Sequence, residues 1–296
     1  MSTPNTTSSP APGRARRRRK CARGGAARAL AVTGGVLAGL ALLGWLGLRL
    51  EPPPFPTFGE EPTTLETLPL PENLPAPVRR FYRRLYGERV PVVRSAVVSG
   101  RASLRLGGVA FPARFRFTHN AGQGYRHYLE ATLFGLPVMR VNESYLDGKG
   151  RLELPFGVTE DEPKVDQAAN LGLWAEGVWF PALFVTDPRV RWEAVDETTA
   201  LLVVPFGEGE ERFTVRFDPD TGLVRRLESM RYKGARDEHK TLWLNEALAW
   251  EDLGGRLVLT ESALTWVGDG APWARFKVEE LVYNVDVREA LGRRGL

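Results

Sequence analysis

Three histidines, a scatter of carboxylates and a set of tryptophans are the residues whose types could do chemistry in this chain. His119 and His127 lie on either side of the turn sequence NAGQG, so one hairpin would bring them near each other, while His239 stands far along the chain. A zinc site needs three or four such donors converging in space. The two histidines therefore read as polar strand residues, and no metal ligand or other cofactor is assigned. Glu153, Glu176, Glu193 and Asp196 are the candidates for a glycosidase pair, which requires carboxyl groups set about 5 or about 9 Å apart. Spacing along the chain does not place any two of them so, and charged strand residues face solvent by default. Asp147 opens DGKG, which lacks the later acidic ligands of a calcium loop. Asp-Gly instead supplies the two φ > 0 residues of a type I′ hairpin turn. A P-loop, a dinucleotide fingerprint, G-x-S-x-G and H-E-x-x-H are all absent. No catalytic residue is assigned, and the balance favours a protein that is not an enzyme.

Aromatic residues are the stronger signal. Trp174, Trp179, Trp192, Trp243, Trp250, Trp266 and Trp273 all follow the first half of the chain. Such a set lines a cavity for an apolar or carbohydrate ligand, or it fills a core. Both readings stay open. The candidate ligand-binding residues are Trp174, Glu176, Trp179, Phe180, Trp192, Trp243, Trp250 and Trp266. Glu176 lies between two tryptophans, where burial would alter its proton affinity, although a helix end would leave it in water.

The elements that must position these residues are mainly strands. LPAPVRRFYRRLYG spaces Val78, Phe81, Tyr82 and Leu85 for one helix face, with Pro77 in the first turn and Gly87 as a stop. From Val92 the apolar period becomes 2. VRSAVVSGRASLRLGG reads as two short strands, and turn sequences recur at NAGQG, DGKG, PFGEGEE, DPDTG, EDLGG and GDG. In ARFKVEELVYNVDV the apolar phase shifts after Val278, which predicts a β-bulge. Glu162–Phe184 breaks the pattern: Pro163 starts a helix and Gly177 ends it, with Trp174, Trp179, Phe180 and Phe184 towards its far end. The expected fold is mainly β (α+β): a large curled antiparallel meander of roughly ten strands, a half-barrel or open barrel. An N-terminal helix and the inserted helix cover its concave face.

Charge divides the chain. The whole carries a formal net charge of +4 and a pI near 9.3, yet no Asp or Glu precedes Glu51. From Leu50 onward, 31 basic residues meet 36 acidic ones. The basic excess is thus a tail and not a folded stripe, which argues against a nucleic-acid partner. A single cysteine, Cys21, excludes a disulfide framework. Residues 29–48 form twenty uncharged residues, long enough for one membrane crossing. The arginines before them predict a single-pass anchor, with the N-terminus cytoplasmic and the C-terminal domain outside the cytoplasm. The run is longer than a signal-peptide core and offers no clear cleavage site. Residues 1–28 read as a disordered basic tail whose arginines meet anionic headgroups, 49–73 as a proline-rich linker, and 74–296 as the exported β-rich domain. Gly35 and Gly39 share a helix face and offer a homodimer contact.

Several stretches resemble a family of bacterial exported or membrane-anchored proteins of unknown function: LPAPVRRFYRRLYG, SYLDGKGRLELPFG, LGLWAEGVWFPALF and VRWEAVDETTALLVV. The likeness runs from Leu74 to about Val287 and is most specific from WFPALF to VRWEAVD. It implies domain limits and an exported location, not catalytic residues. The architecture is also similar to the lipoprotein-carrier fold of periplasmic proteins that shield acyl chains. These readings lead to a membrane-anchored extracytoplasmic protein that binds a lipid or acyl chain in the curled sheet. The alternatives are a structural or interaction domain with a filled core, and a hydrolase using Glu176 or a histidine with a carboxylate.

Overall fold

The structure is a computed structural model that describes residues 16–59, 61 and 64–296; of the tail read as disordered over residues 1–28, residues 1–15 lie outside the described residues, and residues 16–28 are helical. Two compact units divide the chain, Met1–Gly47 and Leu48–Leu296. Described by itself, the first is the helix α1 (Arg16–Gly47). Within it, Arg28–Gly47 is the one helical stretch among the described residues long and apolar enough to cross a membrane.

The second unit opens with a short ladder, β1 (Thr67–Pro69) on β2 (Arg89–Pro91), bracketing α2 (Ala76–Tyr86). On α2, Val78, Phe81 and Tyr82 are buried while Arg80, Arg83 and Arg84 face outward, as the spacing requires. Gly87 ends the helix with φ 70°, its N–H donating to the Arg83 carbonyl at 3.0 Å. That backbone state favours glycine because it has no Cβ.

Six strands then run as a meander: β3 (Ser95–Leu106), β4 (Val109–Asn120), β5 (Gly124–Leu133), β6 (Leu136–Leu146), β7 (Lys149–Leu154) and β8 (Gly157–Thr159). After an intervening helical segment, seven more follow: β9 (Arg191–Ala194), β10 (Thr199–Phe206), β11 (Gly209–Phe217), β12 (Val224–Arg231), β13 (Thr241–Leu253), β14 (Arg256–Trp266) and β15 (Ala274–Tyr283). A last short helix, α5 (Arg288–Gly292), ends the chain's regular structure. β15 pairs with β3, which joins the two meanders into one open, curled, antiparallel sheet of thirteen strands with β8 and β9 at its edges.

This topology dictates the path of the inserted segment. It must connect one edge of the sheet to the other, and the apolar concave face offers the crossing that buries its aromatic residues. The segment is α3 (Pro163–Glu176), which starts at Pro163 and stops at Gly177 as the sequence predicts, followed by a 3₁₀ turn at Gly177–Trp179 and α4 (Leu183–Thr186), so Trp179, Phe180 and Phe184 lie beyond the helix and not at its far end. The break falls at Gly177, where an added Cβ would lie 2.5 Å from the Phe184 ring. The chain doubles back there so tightly that α4 packs against the end of α3.

Other local readings meet the structure as follows. Asp147 (φ 52°) and Gly148 (φ 77°) close the β6–β7 hairpin as a two-residue turn with both residues at positive φ. The bulge in β15 falls between Val278 and Glu280. Opposite it stands Gly100, where a Cβ would sit 2.0 Å from the Lys277 carbonyl oxygen. This close approach corrects the reading of two short strands here: Gly100 is no break but the middle of the twelve-residue β3. The sheet holds thirteen strands and not roughly ten because short pieces such as β7, β8 and β9 are too brief to show an alternation.

The proline-rich segment is partly docked over Glu51–Phe58. Arg101 pairs with Glu51, Arg114 donates to the Pro53 carbonyl at 3.1 Å, Arg116 donates to that of Pro56, and the Phe58 N–H donates to Glu280 at 2.8 Å. Phe55 is buried against Tyr128 and beneath the Arg114 guanidinium. Prolines have no N–H to spend, but their carbonyls remain free acceptors for the arginines of the convex face.

Candidate functional site

The β4–β5 hairpin presents alternate residues to the concave face. Phe115, Phe117 and His119 on β4 point the same way as Tyr125, His127 and Leu129 on β5, because Phe117 pairs with His127 and His119 with Tyr125. The two histidines are therefore diagonal neighbours, with ring centroids 5.8 Å apart. On β6, Glu143 lies directly across from His127. The end of α3 lowers Glu176 onto this patch.

His127 donates from Nε2 to Glu176 Oε2 at 2.7 Å, and its Nδ1 lies 3.8 Å from Glu143 Oε2. Tyr125 donates its hydroxyl proton to Glu143 Oε1 at 2.6 Å. The imidazole of His127 is held between two rings, Tyr125 and Phe117, each with its centroid 3.9 Å away. His119, packed near Phe180, is completely buried, and neither of its ring nitrogens has a hydrogen-bond partner. Its Nε2 stands 3.3 Å from Glu176 Oε2 without the alignment of a hydrogen bond. Donor atoms of His119, His127 and Glu176 all lie within 4.8 Å of one another.

Proton affinities diverge accordingly. Burial, reinforced by the neighbouring His127, holds His119 well below the ordinary histidine range, so it is neutral. Burial acts to lower His127 as well, but Glu176 and Glu143 outweigh it and raise the imidazole to about 9. Burial would raise Glu143, yet His127, the Arg231 charge and the Tyr125 hydroxyl bring it down to about 2. Burial raises Glu176, against the attraction of His127.

The predicted ligand residues do not share one cavity. Trp179 joins the site: its ring packs on Phe115, Phe117 and Phe276, and its carbonyl accepts from Tyr283 at 2.8 Å. Phe180 and Glu176 belong there too. Trp174 is buried elsewhere, 5.7 Å from the Arg189 guanidinium. Trp192 and Trp250 pack with Phe217 and Phe81 beside α2 and donate to the Phe184 and Val224 carbonyls. Trp243 and Trp266 form a pair capped by Arg231, 4.3 Å from the Trp243 ring. Next to Glu176 and Trp179 lies an apolar crevice of about 20 Å³, floored by Leu227 and Leu259. Of the carboxylates considered for a hydrolytic pair, Glu153, Glu193 and Asp196 stand apart from Glu176: Glu153 and Glu193 pair with surface arginines, and Asp196 caps its own turn. Tyr125 and Glu143 are site residues that the sequence reading did not single out.

An open curled antiparallel sheet, crossed from edge to edge by a helical segment that lowers a carboxylate onto two strand histidines, defines the class of this domain. The chain belongs to the family of unknown function DUF6544, whose profile matches residues 64–277. In outline it is similar to a DUF1329 family protein from Desulfovibrio piger, at 14% identity over 67% of this chain and 89% of that one, with a TM-score of 0.40. It is likewise similar to a LolA superfamily protein from Nitrosomonas europaea, at 8% identity over 74% of this chain and 96% of that one, with a TM-score of 0.42. No curated protein matches significantly.

Proposed function

We propose that this chain is a single-pass membrane protein whose domain, residues 74–296, lies outside the cytoplasm and binds a lipid or acyl chain between the curled sheet and the crossing segment. The reading rests on the way that segment is fastened. Its inner face is apolar, but the first turns of α3 are held by polar bonds that water can replace. Asp166 accepts from the Gly150 N–H at 2.8 Å and from Lys149 at 3.0 Å, Gln167 donates to Glu211 at 2.8 Å, and Asn170 donates to the Pro205 carbonyl at 3.1 Å. A crevice of about 20 Å³ admits no acyl chain, so a ligand would enter by lifting this segment from the aromatic face beneath it. The arginines before the apolar helix would then meet cytoplasmic headgroups, and Gly35 and Gly39 would offer a contact between two helices.

A fatty acid brominated along its chain tests the reading, because bromine quenches tryptophans that it touches. Full-length protein in detergent should show saturable quenching that shrinks in Trp179→Phe and develops faster in Asp166→Ala. Quenching equal in all three proteins would refute an interior site. For topology, a C-terminal reporter should be active only outside the cytoplasm, and alkaline extraction should leave the chain in the membrane.

A filled-core interaction domain is the second reading, supported by exposed apolar side chains at one end of β5–β8: Leu136, Val138 and Phe156, the last 91% exposed. Absence of quenching would favour it.

A further inference from the structure

We infer that His119, His127 and Glu176 form a binding site for a divalent first-row transition metal such as zinc. The inference stands apart from the acyl-chain reading, since it concerns polar donors and not the apolar face.

Three observations carry it. First, the donor set is chemically apt: two imidazoles and one carboxylate, with donor atoms within 4.8 Å of one another. Around a tetrahedral ion with bonds of about 2.0 to 2.1 Å, neighbouring donors stand about 3.3 Å apart. Here Glu176 Oε2 lies 3.3 Å from His119 Nε2 and 2.7 Å from His127 Nε2. An ion entering between them would open the shorter contact by roughly half an ångström and bring the two imidazole donors, which lie within 4.8 Å of each other, to the same spacing.

Second, His119 has no other employment. It is wholly buried on an aromatic face, and both ring nitrogens lack a hydrogen-bond partner. A buried polar side chain left unsatisfied costs about 1 to 3 kcal/mol, and a leucine or phenylalanine would suit the apolar surroundings better. A metal bond to Nε2 answers that deficit.

Third, the surroundings have the form of an outer shell. A ligating histidine commonly gives its second nitrogen to a carboxylate, which fixes the tautomer and the ring. Glu143 stands 3.8 Å from His127 Nδ1 and is itself fixed by the Tyr125 hydroxyl at 2.6 Å. The ring of His127 is clamped between Tyr125 and Phe117, so Nε2 already points at Glu176. Three protein donors would leave one position for water or another ligand, beside the crevice that Glu176 lines. His119 and His127 come from one hairpin and Glu176 from the crossing segment. The ion would therefore also staple that segment to the sheet.

The test uses full-length protein in detergent, with Cys21→Ser to remove the one thiol, stripped by chelator and titrated with zinc alone and then with cobalt(II) alone. One zinc per chain should bind, the unfolding temperature should rise with zinc, and cobalt should give the visible absorption of a low-coordinate nitrogen and oxygen site. His119→Gln and the near-isosteric Glu176→Gln should each weaken zinc binding at least about 100-fold, and Glu143→Gln by about 10- to 100-fold. His239→Ala, at an exposed histidine away from the site, should bind as the parent does. If a substituted chain fails to fold, the cobalt spectrum of the parent still decides. Absence of a one-to-one complex, or zinc affinity unchanged in both His119→Gln and Glu176→Gln, would overturn the inference and leave a buried ion pair with a neutral histidine beside it.

Discussion

The two faces of the β4–β5 hairpin each bury a carboxylate, and they treat it differently. On the convex face, Glu130 receives Arg114 through two bonds of 2.9 and 2.7 Å and the Tyr128 hydroxyl at 2.6 Å, with the Phe55 ring beside both partners. The cluster is closed: an anion, a cation and a hydroxyl donor satisfy one another. On the concave face, Glu176 and Glu143 bracket His127, while His119 beside them is buried with both nitrogens idle. A saturated network specifies structure, whereas a buried polar group left unsatisfied calls for an explanation, and the metal proposed above supplies one for His119.

Glu130→Ala should produce the largest change that probes this contrast. Removing one partner of a buried, hydrogen-bonded ion pair typically costs about 3 to 5 kcal/mol. Chemical denaturation should show a loss of that order, with zinc binding intact. Phe55→Ala comes next, at about 1 to 3 kcal/mol from lost burial, and hydrogen exchange should report the release of residues 51–58 from the sheet. Acid should act through Glu130 in a fixed direction. Burial would raise its proton affinity, but Tyr128 and Arg114 hold it below the usual carboxylate range. The ionised form is therefore favoured by folding, so its contribution is present above the ordinary carboxylate pKa of about 4.3 and fades as the pH falls below it. The stability advantage of the parent over Glu130→Gln should narrow correspondingly in denaturation curves taken from pH 6 down to pH 3. The smallest cost is expected from His119→Leu in metal-free protein, none or a gain of about 1 kcal/mol or more, since no hydrogen bond is lost and an unsatisfied buried group is removed. A cost as large as that of Glu130→Ala would erase the distinction between the two faces.

Much of the fold was legible because alternation and turn chemistry are local. α2, the β6–β7 turn, the bulge in β15 and the crossing segment follow from residues within a few positions of one another. The site was legible only in pieces. The hairpin alone suggested that His119 and His127 approach each other, and the flanking tryptophans drew attention to Glu176. Their meeting depends on α3 starting beside β7 near one sheet edge and ending over the concave face at β5, which no short-range pattern encodes. Glu143 was hidden for a narrower reason. The Phe134-Gly135 turn, with φ of 56° and 72°, would by itself set Asn142 opposite His127; a register shift between Ala131 and Thr132, which skips Val138, brings Glu143 there instead. A phenylalanine at positive φ is rare, so the sequence there does not look like a turn. The prolines of 51–58 pointed to an extended segment, and their carbonyls gave no sign of the arginines waiting for them.

The pairing of β3 with β15 also shapes how the chain is made. These strands sit side by side at the middle of the sheet yet are separated by most of the domain's length, and each meander lends its terminal helix to the other: α2 packs beside β10, and α5 lies by β4 and β5. A nascent chain therefore carries β3 as an open, apolar edge until nearly the whole polypeptide has emerged. Long-range closures of this kind are slow, and an unpaired edge invites association with other chains. Assembly must wait for the final strand, so truncation within β15 should yield an aggregating product and not a smaller stable domain.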